Sequence, residues 1–186
     1  MFFFKKKSPE EKRAKEIERL RKNEGEQGFA LALMHPLGDI ALADICIMRL
    51  EPENQRLYIS CNKKRVNIPY TAFRAVEVCG ENDIVQGQAA IKLEEITDLL
   101  DAGADKFIGP LGIHRNNVRW FSRLEYVDEE GQRQKVYGIL CTARNYYQAR
   151  DKLFAADQFE IIFADIMTRF PHPEDTPELE ESTVSE

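Results

Sequence analysis

The stretch that most restricts how this chain can fold lies between Val118 and Phe170, where a hairpin is followed by a striped helix. Two runs, Trp120–Val127 and Lys135–Thr142, flank Asp128-Glu129-Glu130-Gly131, an acidic turn ending in glycine, and read as antiparallel strands. Val136, Tyr137, Ile139, Leu140 and Cys141 make the second run apolar on both faces, so both faces need cover. Beyond it, Tyr146, Ala149, Leu153, Ala156, Phe159, Phe163, Ile166 and Phe170 recur at three- and four-residue steps. That spacing predicts one long helix with a continuous apolar stripe, and such a stripe must lie on something.

Upstream the chain is a series of short strand-like runs separated by turn residues. Phe29–Met34 is apolar and ends at Pro36 and Gly38. In Leu42–Leu50, residues Leu42, Cys46, Met48 and Leu50 share one face, and Ile45 and Ile47 the other. Arg56–Cys61 places Leu57, Ile59 and Cys61 on one side, then Asn62-Lys63-Lys64 turns the chain into Val66, Ile68 and Tyr70. Pro69 marks that strand as an edge or as its end. Phe73–Cys79 closes the group before a turn at Gly80-Glu81-Asn82-Asp83. Ile91, Leu93, Ile96, Leu99 and Leu100 then switch to helical spacing inside an insertion, residues 81–117. The fold class expected is mainly β. About seven antiparallel strands, bent into a partly open barrel or two crossed sheets, are closed by the C-terminal helix.

The two ends differ from this middle. Residues 1–24 carry nine Lys and Arg against five acids, whereas residues 171–186 carry six acids and no Lys or Arg. Ser8-Pro9-Glu10-Glu11 is a strong helix start, with Ser8 as cap, Pro9 at the first position and Glu11 completing a capping box. The helix should run to about Asn23 and stop at Gly25, solvated or loosely docked, since its apolar stripe is only Ala14, Ile17 and Leu20. Residues 1–28 are thus a charged leader and helix, 29–170 the folded domain, and 171–186 a disordered acidic tail.

Met34-His35-Pro36-Leu37-Gly38, Asn54–Ser60, Val66–Phe73, Ala75–Cys79 and Ile108–Gly112, followed by Leu124–Tyr126, the acidic-Gly turn and a helix, together resemble bacterial pleckstrin-homology-like (PH-like) domains. The resemblance covers roughly Phe29–Phe170. It implies a small bacterial cytoplasmic protein with a bent sheet closed by a helix, of a family largely without assigned activity. Family members usually carry a Gly/Ala-rich insert where this chain has the charged segment Lys92–Asp105. Eukaryotic relatives that bind phosphoinositides use Lys and Arg in the first inter-strand loop. Here that loop, His35–Ala41, has neither, so phosphoinositide binding is not expected.

Residues able to carry chemistry are scattered. Cys46, Cys61, Cys79 and Cys141 form no C-x-x-C pair and read as buried free thiols of a reducing compartment. A nucleophilic pairing of Cys141 with His114 is conceivable, but Cys141 sits in an apolar strand and reads as core. His35 and His172 complete the three histidines, and no two His or Cys stand at chelating spacing. Glu94, Glu95, Asp98, Asp101 and Asp105 lie along one helix and read as a solvated face. No metal, cofactor or small-molecule substrate is expected, and a net charge of −6 does not suit nucleic acid.

The expectation is a non-catalytic module that binds another protein or a second copy of itself. Phe159, Ile162, Phe163 and Ile166, which extend past what a small barrel needs, are the candidate partner surface. Lys63, Lys64 and Arg65, beside Arg56, form a candidate basic contact that also serves to keep an edge from pairing. Phe2, Phe3, Phe4, Lys5, Lys6 and Lys7 are candidates for a weak anionic-membrane contact, which would make the protein membrane-peripheral. A Cys-dependent enzyme is the remaining alternative.

Overall fold

The computed structural model describes residues 8–92, 94–95, 120–141 and 153–175. Their order is α1 (Pro9–Lys22), β1 (Gly28–Leu33), β2 (Ile45–Glu51), β3 (Arg56–Cys61), β4 (Lys64–Pro69), a 3-10 turn (Tyr70–Ala72), β5 (Phe73–Gly80), α2 (Glu81–Val85), β6 (Trp120–Val127), β7 (Arg133–Cys141), α3 (Gln158–Arg169) and a final 3-10 turn (Pro173–Asp175). The strands form one antiparallel, open sheet in the order β4-β3-β2-β1-β7-β6-β5. Pro69 ends β4 at an edge, where a missing N–H is tolerated.

The two edges, β4 and β5, are separated in sequence only by Tyr70–Ala72. A flat sheet of this size would hold its edges roughly 29 Å apart at about 4.8 Å per strand, whereas the link from Pro69 to Phe73 can span at most about 14 Å. The sheet therefore curls until its edges approach at one corner, and they meet there without pairing.

Curling gives the sheet two apolar faces of different character. The inner face gathers Leu31, Leu33, Met48, Leu57, Ile59, Leu124, Val136 and Leu140 with residues of α3. On the outer face Ala30, Ala32, Phe121, Tyr137 and Ile139 are covered by Ile84 of α2 and by Ala89 and Ile91. Central strand β1 is accordingly buried at every position, and the expected cover on both faces of β7 is present. At Gly138 a Cβ would press on the Leu31 side chain and stand 2.9 Å from the Ala32 carbonyl oxygen, so glycine sets how closely β7 and β1 pack there.

The C-terminal helix departs from the reading of its sequence. It begins at Gln158, not near Tyr146. Leu153 forms a parallel bridge to Gly28, and the Phe154 N–H donates to the Gly28 carbonyl at 2.8 Å. This extended stretch sends Leu153 to the outer core and Phe154 to the inner one. Residues 142–152 lie outside the described residues. Phe159, Ile162, Phe163 and Ile166 are at most 2 % exposed, which corrects the expectation that they form a partner surface. Their spacing puts them on one helix face, and the shortened helix spends that whole face on the open side of the curled sheet. Phe159 and Phe163 stack on one another at 4.6 Å, and against Phe29 and Phe73 at 4.9 and 5.4 Å.

The N-terminal helix spans Pro9–Lys22 with both capping-box bonds formed, and Gly25 follows it at φ +86°. Leu20 is buried, and Arg21 and the following Glu24 reach α3 through Asp165 and Arg169. The docking is thus confined to the helix's last turns. After β5, where the sequence reads as a turn, the one-turn helix α2 forms with the Asp83 carboxylate accepting the Gly80 N–H at 2.9 Å. The expected helix over Lys92–Asp105 lies outside the described residues, apart from Lys92 and residues 94–95. The disordered tail expected over 171–186 is corrected at its start, where residues 171–175 are placed by a 3-10 turn at Pro173–Asp175 and by the bonds of His172 and Glu174 to Arg74; the rest lies outside the described residues.

Candidate interaction cleft at the open seam

The unpaired corner holds a cleft of about 410 Å³. One wall is the end of β4 and the turn after it, with Asn67, Ile68, Pro69, Thr71 and Ala72. The other is the β6–β7 turn, with Tyr126, Val127, Asp128, Glu129 and Glu130, and His172 and Pro173 close one end. Ile68 and Ala72 are buried, Tyr126 and Val127 half-buried, and Glu129 and Glu130 exposed. The cleft has an apolar floor and an acidic rim, and its volume falls within the roughly 300–1,000 Å³ typical of ligand pockets.

Local hydrogen bonds fix the rim. The Asp128 carboxylate accepts from Gln134 Nε2 at 2.7 Å and from the N–H groups of Gln132 and Glu130 at 2.7 and 3.1 Å, while Gly131 supplies the positive φ of the turn. The Gln134 bond, followed by that from Gln132, holds the Asp128 pKa below the usual carboxylate range, so the group is charged at neutral pH. Burial, reinforced by Asp128, pushes the Tyr126 hydroxyl up and keeps it neutral. The side chains of Glu129 and Glu130 stand on the exposed rim of the turn; the turn uses only the Glu130 backbone N–H.

The far end is held by a clasp that starts at a β-bulge. The β5–β6 register shifts between Phe73 and Ala75, leaving Arg74 as the extra residue. Its guanidinium is 12 % exposed and reaches His172 Nδ1 at 2.5 Å and Glu174 at 2.7 Å. The Glu174 N–H also points at His172 Nδ1, at 3.2 Å. The guanidinium and the Glu174 N–H both converge on that nitrogen.

A second depression of about 360 Å³ lies between the end of α1 and the β2–β3 turn, bordered by Glu24, Glu51 and Glu53. Two of these carboxylates are already engaged, Glu24 by Arg169 at 2.5 Å and Glu51 by Arg65 at 3.4 Å. Arg169 also binds Asp165 at 2.9 Å, and Asp165 binds Arg21 at 2.7 Å. Burial pushes the Asp165 pKa up, but the hydrogen bond and charge of Arg21 with the charge of Arg169 outweigh it and hold it below the usual range. For Glu24 burial wins over Arg169 and the pKa is raised. This is a structural latch between α1 and α3.

The other sequence candidates fall apart from one another. Lys63 and Lys64 project at the β3–β4 tip, while Arg65 lies back with its guanidinium 3.5 Å over the Tyr58 ring. Cys46, Cys61 and Cys79 are buried free thiols. Burial, followed by the charges of Glu77 and Asp83, pushes Cys79 up to about 12, the reverse of what a nucleophile requires. Burial likewise raises Cys61. His35 packs edge-on to Tyr137, with ring centroids 5.4 Å apart. Phe2–Lys7, His114 and the Cys141 side chain lie outside the described residues. Among the described residues no group of three His, Cys, Asp or Glu is placed to hold a metal, and no helix is long and apolar enough to cross a membrane. Sequence reasoning missed the cleft because its walls are far apart in the chain, and only the acidic-Gly turn had a local signal. The chain matches no family model, no curated protein and no solved structure.

Proposed function

We propose that the chain is a PH-like, non-catalytic interaction module whose open seam receives a segment of another polypeptide. The observation that carries this reading is the cleft between the end of β4 and the β6–β7 turn, with its floor of Ile68 and Ala72 and its rim of Asp128, Glu129 and Glu130. The complementary ligand is an apolar side chain flanked by Lys or Arg. The resemblance to PH-like domains agrees with a curled seven-stranded sheet whose mouth is filled by a C-terminal helix. Cys61 and Cys79 are buried with raised pKa values, which does not suit either as a nucleophile.

Site-specific photo-crosslinking tests it. A benzophenone side chain at Thr71, exposed in the cleft, should give one reproducible adduct in host extract, and the same probe at Val85, 62 % exposed and outside the cleft, should not. Equal labelling from both positions, or none from Thr71, sinks the proposal.

A second reading, a peripheral membrane contact, draws support from α1. Ser8–Lys15 are exposed, and the sequence that precedes this helix is Phe2-Phe3-Phe4-Lys5-Lys6-Lys7. It expects co-sedimentation with anionic vesicles that weakens with salt. Retention of that binding by Lys5→Glu/Lys6→Glu/Lys7→Glu would exclude it.

A further inference from the structure

Two features of the chain match each other chemically. The first is the arm. The capping box keeps α1 helical to its first residue, and only its last turns dock, through Leu20 and Arg21. At about 1.5 Å per residue, the exposed run from Ser8 to Lys15 holds its N-terminal end roughly 10 Å or more beyond the docked turns. The sequence immediately before that end is Phe2-Phe3-Phe4 followed by Lys5-Lys6-Lys7. The second feature is the cleft, with an apolar floor and three consecutive acids on one rim.

We propose that the cleft of one copy receives the Phe2–Lys7 segment of a second copy. Aromatic side chains fill the floor over Ile68 and Ala72, and the lysines meet Asp128, Glu129 and Glu130. This names the ligand of the cleft and rests on the interaction reading above. The pairing follows from charge: the lysines suit the carboxylate rim, whereas an anionic lipid surface would repel that rim and a chain of net charge −6. Segment and cleft are different surfaces of one chain, so the contact is heterologous. It builds rings or open rows and leaves a free segment and a free cleft at the ends of any row.

The test uses sedimentation velocity on the full chain and two full-length variants, Lys5→Glu/Lys6→Glu/Lys7→Glu and Glu129→Lys/Glu130→Lys. The parent should self-associate with concentration and less so as salt rises. Each variant alone places like charges together and should associate at least about tenfold more weakly. Mixed together, the acidic segment of one faces the basic rim of the other, and the basic segment faces the acidic rim, so association should return. A monomeric parent, a rim variant that associates like the parent, or a mixture that stays monomeric each overturns the proposal. A Thr71 adduct to a different protein with a monomeric parent overturns this inference and leaves the interaction reading standing. Absence of any Thr71 adduct removes the interaction reading itself, and this inference with it.

Discussion

Truncating Phe163 to alanine tests the reassignment of the α3 face from partner surface to core. Phe163 exposes none of its surface, and its ring lies 4.6 Å from Phe159, 5.4 Å from Phe73 and 6.2 Å from Phe29. Removing a buried phenyl ring costs about 3–5 kcal/mol, through lost transfer energy plus the cavity left behind. Set against the roughly 5–15 kcal/mol that holds an ordinary domain together, this is a large share. At about 2 kcal/mol per molar of urea, the unfolding midpoint should fall by about 2 M. Ile162→Val removes one methyl group from the same face and should cost about 1 kcal/mol, which keeps a measurable folded baseline if Phe163→Ala unfolds the chain. The assay is urea unfolding of the isolated protein, followed through far-UV circular dichroism. If Phe163→Ala costs less than about 1 kcal/mol with an unchanged urea slope, the ring is not packed as described, and the face is free for a partner after all.

Gly138→Ala should lower stability by about 1–3 kcal/mol, since the new methyl group meets Leu31 and the Ala32 carbonyl; an unchanged melting temperature would refute the close β1–β7 packing. Asp165→Asn removes a carboxylate that two arginines bind, at a cost of about 2 kcal/mol near neutral pH. Because the folded pKa of Asp165 is depressed, its contribution is present above the ordinary value of 3.8 and is lost as pH falls through the folded value, so parent and variant curves should converge in acid. Glu24 has the opposite sign: its raised pKa gives stability that is present below 4.5 and is lost as pH rises through the folded value, a loss that Glu24→Gln should abolish. Arg74→Ala removes the anchor of the clasp, and faster amide exchange at Glu174, with little change in global stability, is the expected outcome. Thiol labelling of the native protein, read site by site, should leave Cys61 and Cys79 unmodified near neutral pH, and rapid reaction at either would contradict their burial.

The strands were legible wherever apolar and polar residues alternate: β3 and β6 fall where the pattern of Arg56–Cys61 and Trp120–Val127 puts them. The start of α1 was legible because a capping box is a local code. The start of α3 was not. Leu153 and Ala156 keep helical spacing with Phe159, but a bridge from Leu153 to Gly28 takes up the backbone groups that a longer helix would use. Residue spacing cannot register competition from a strand so distant in the chain. The cleft was illegible for a related reason. Its turn could be read from Asp128 to Gly131, but its opposite wall is supplied by Pro69 and Thr71, and the bulge that sends Arg74 toward His172 leaves no mark in sequence.

Whether the seam is an accident or a built feature turns on what would be needed to close it. Sealing the sheet would require β4 to offer a continuous row of donors and acceptors to β5. Pro69 removes a donor at the end of β4 nearest the corner. The link of Tyr70–Ala72 forms a 3-10 turn, with the Phe73 N–H returning to the Tyr70 carbonyl, so the chain turns at the corner instead of continuing as a strand. At the start of β5 the Arg74 bulge breaks the register and adds local twist, and its guanidinium then ties down the segment that closes one end of the cleft. These three features act within about six residues, and each opposes pairing between the edges. Ala72, a small buried residue, lines the floor of the cleft, where a larger side chain would take up space. A fold that needed only a closed core gains nothing from this combination. One that receives an external side chain needs a gap with fixed borders, and the turn at Asp128 fixes one wall while the clasp at Arg74 fixes one end.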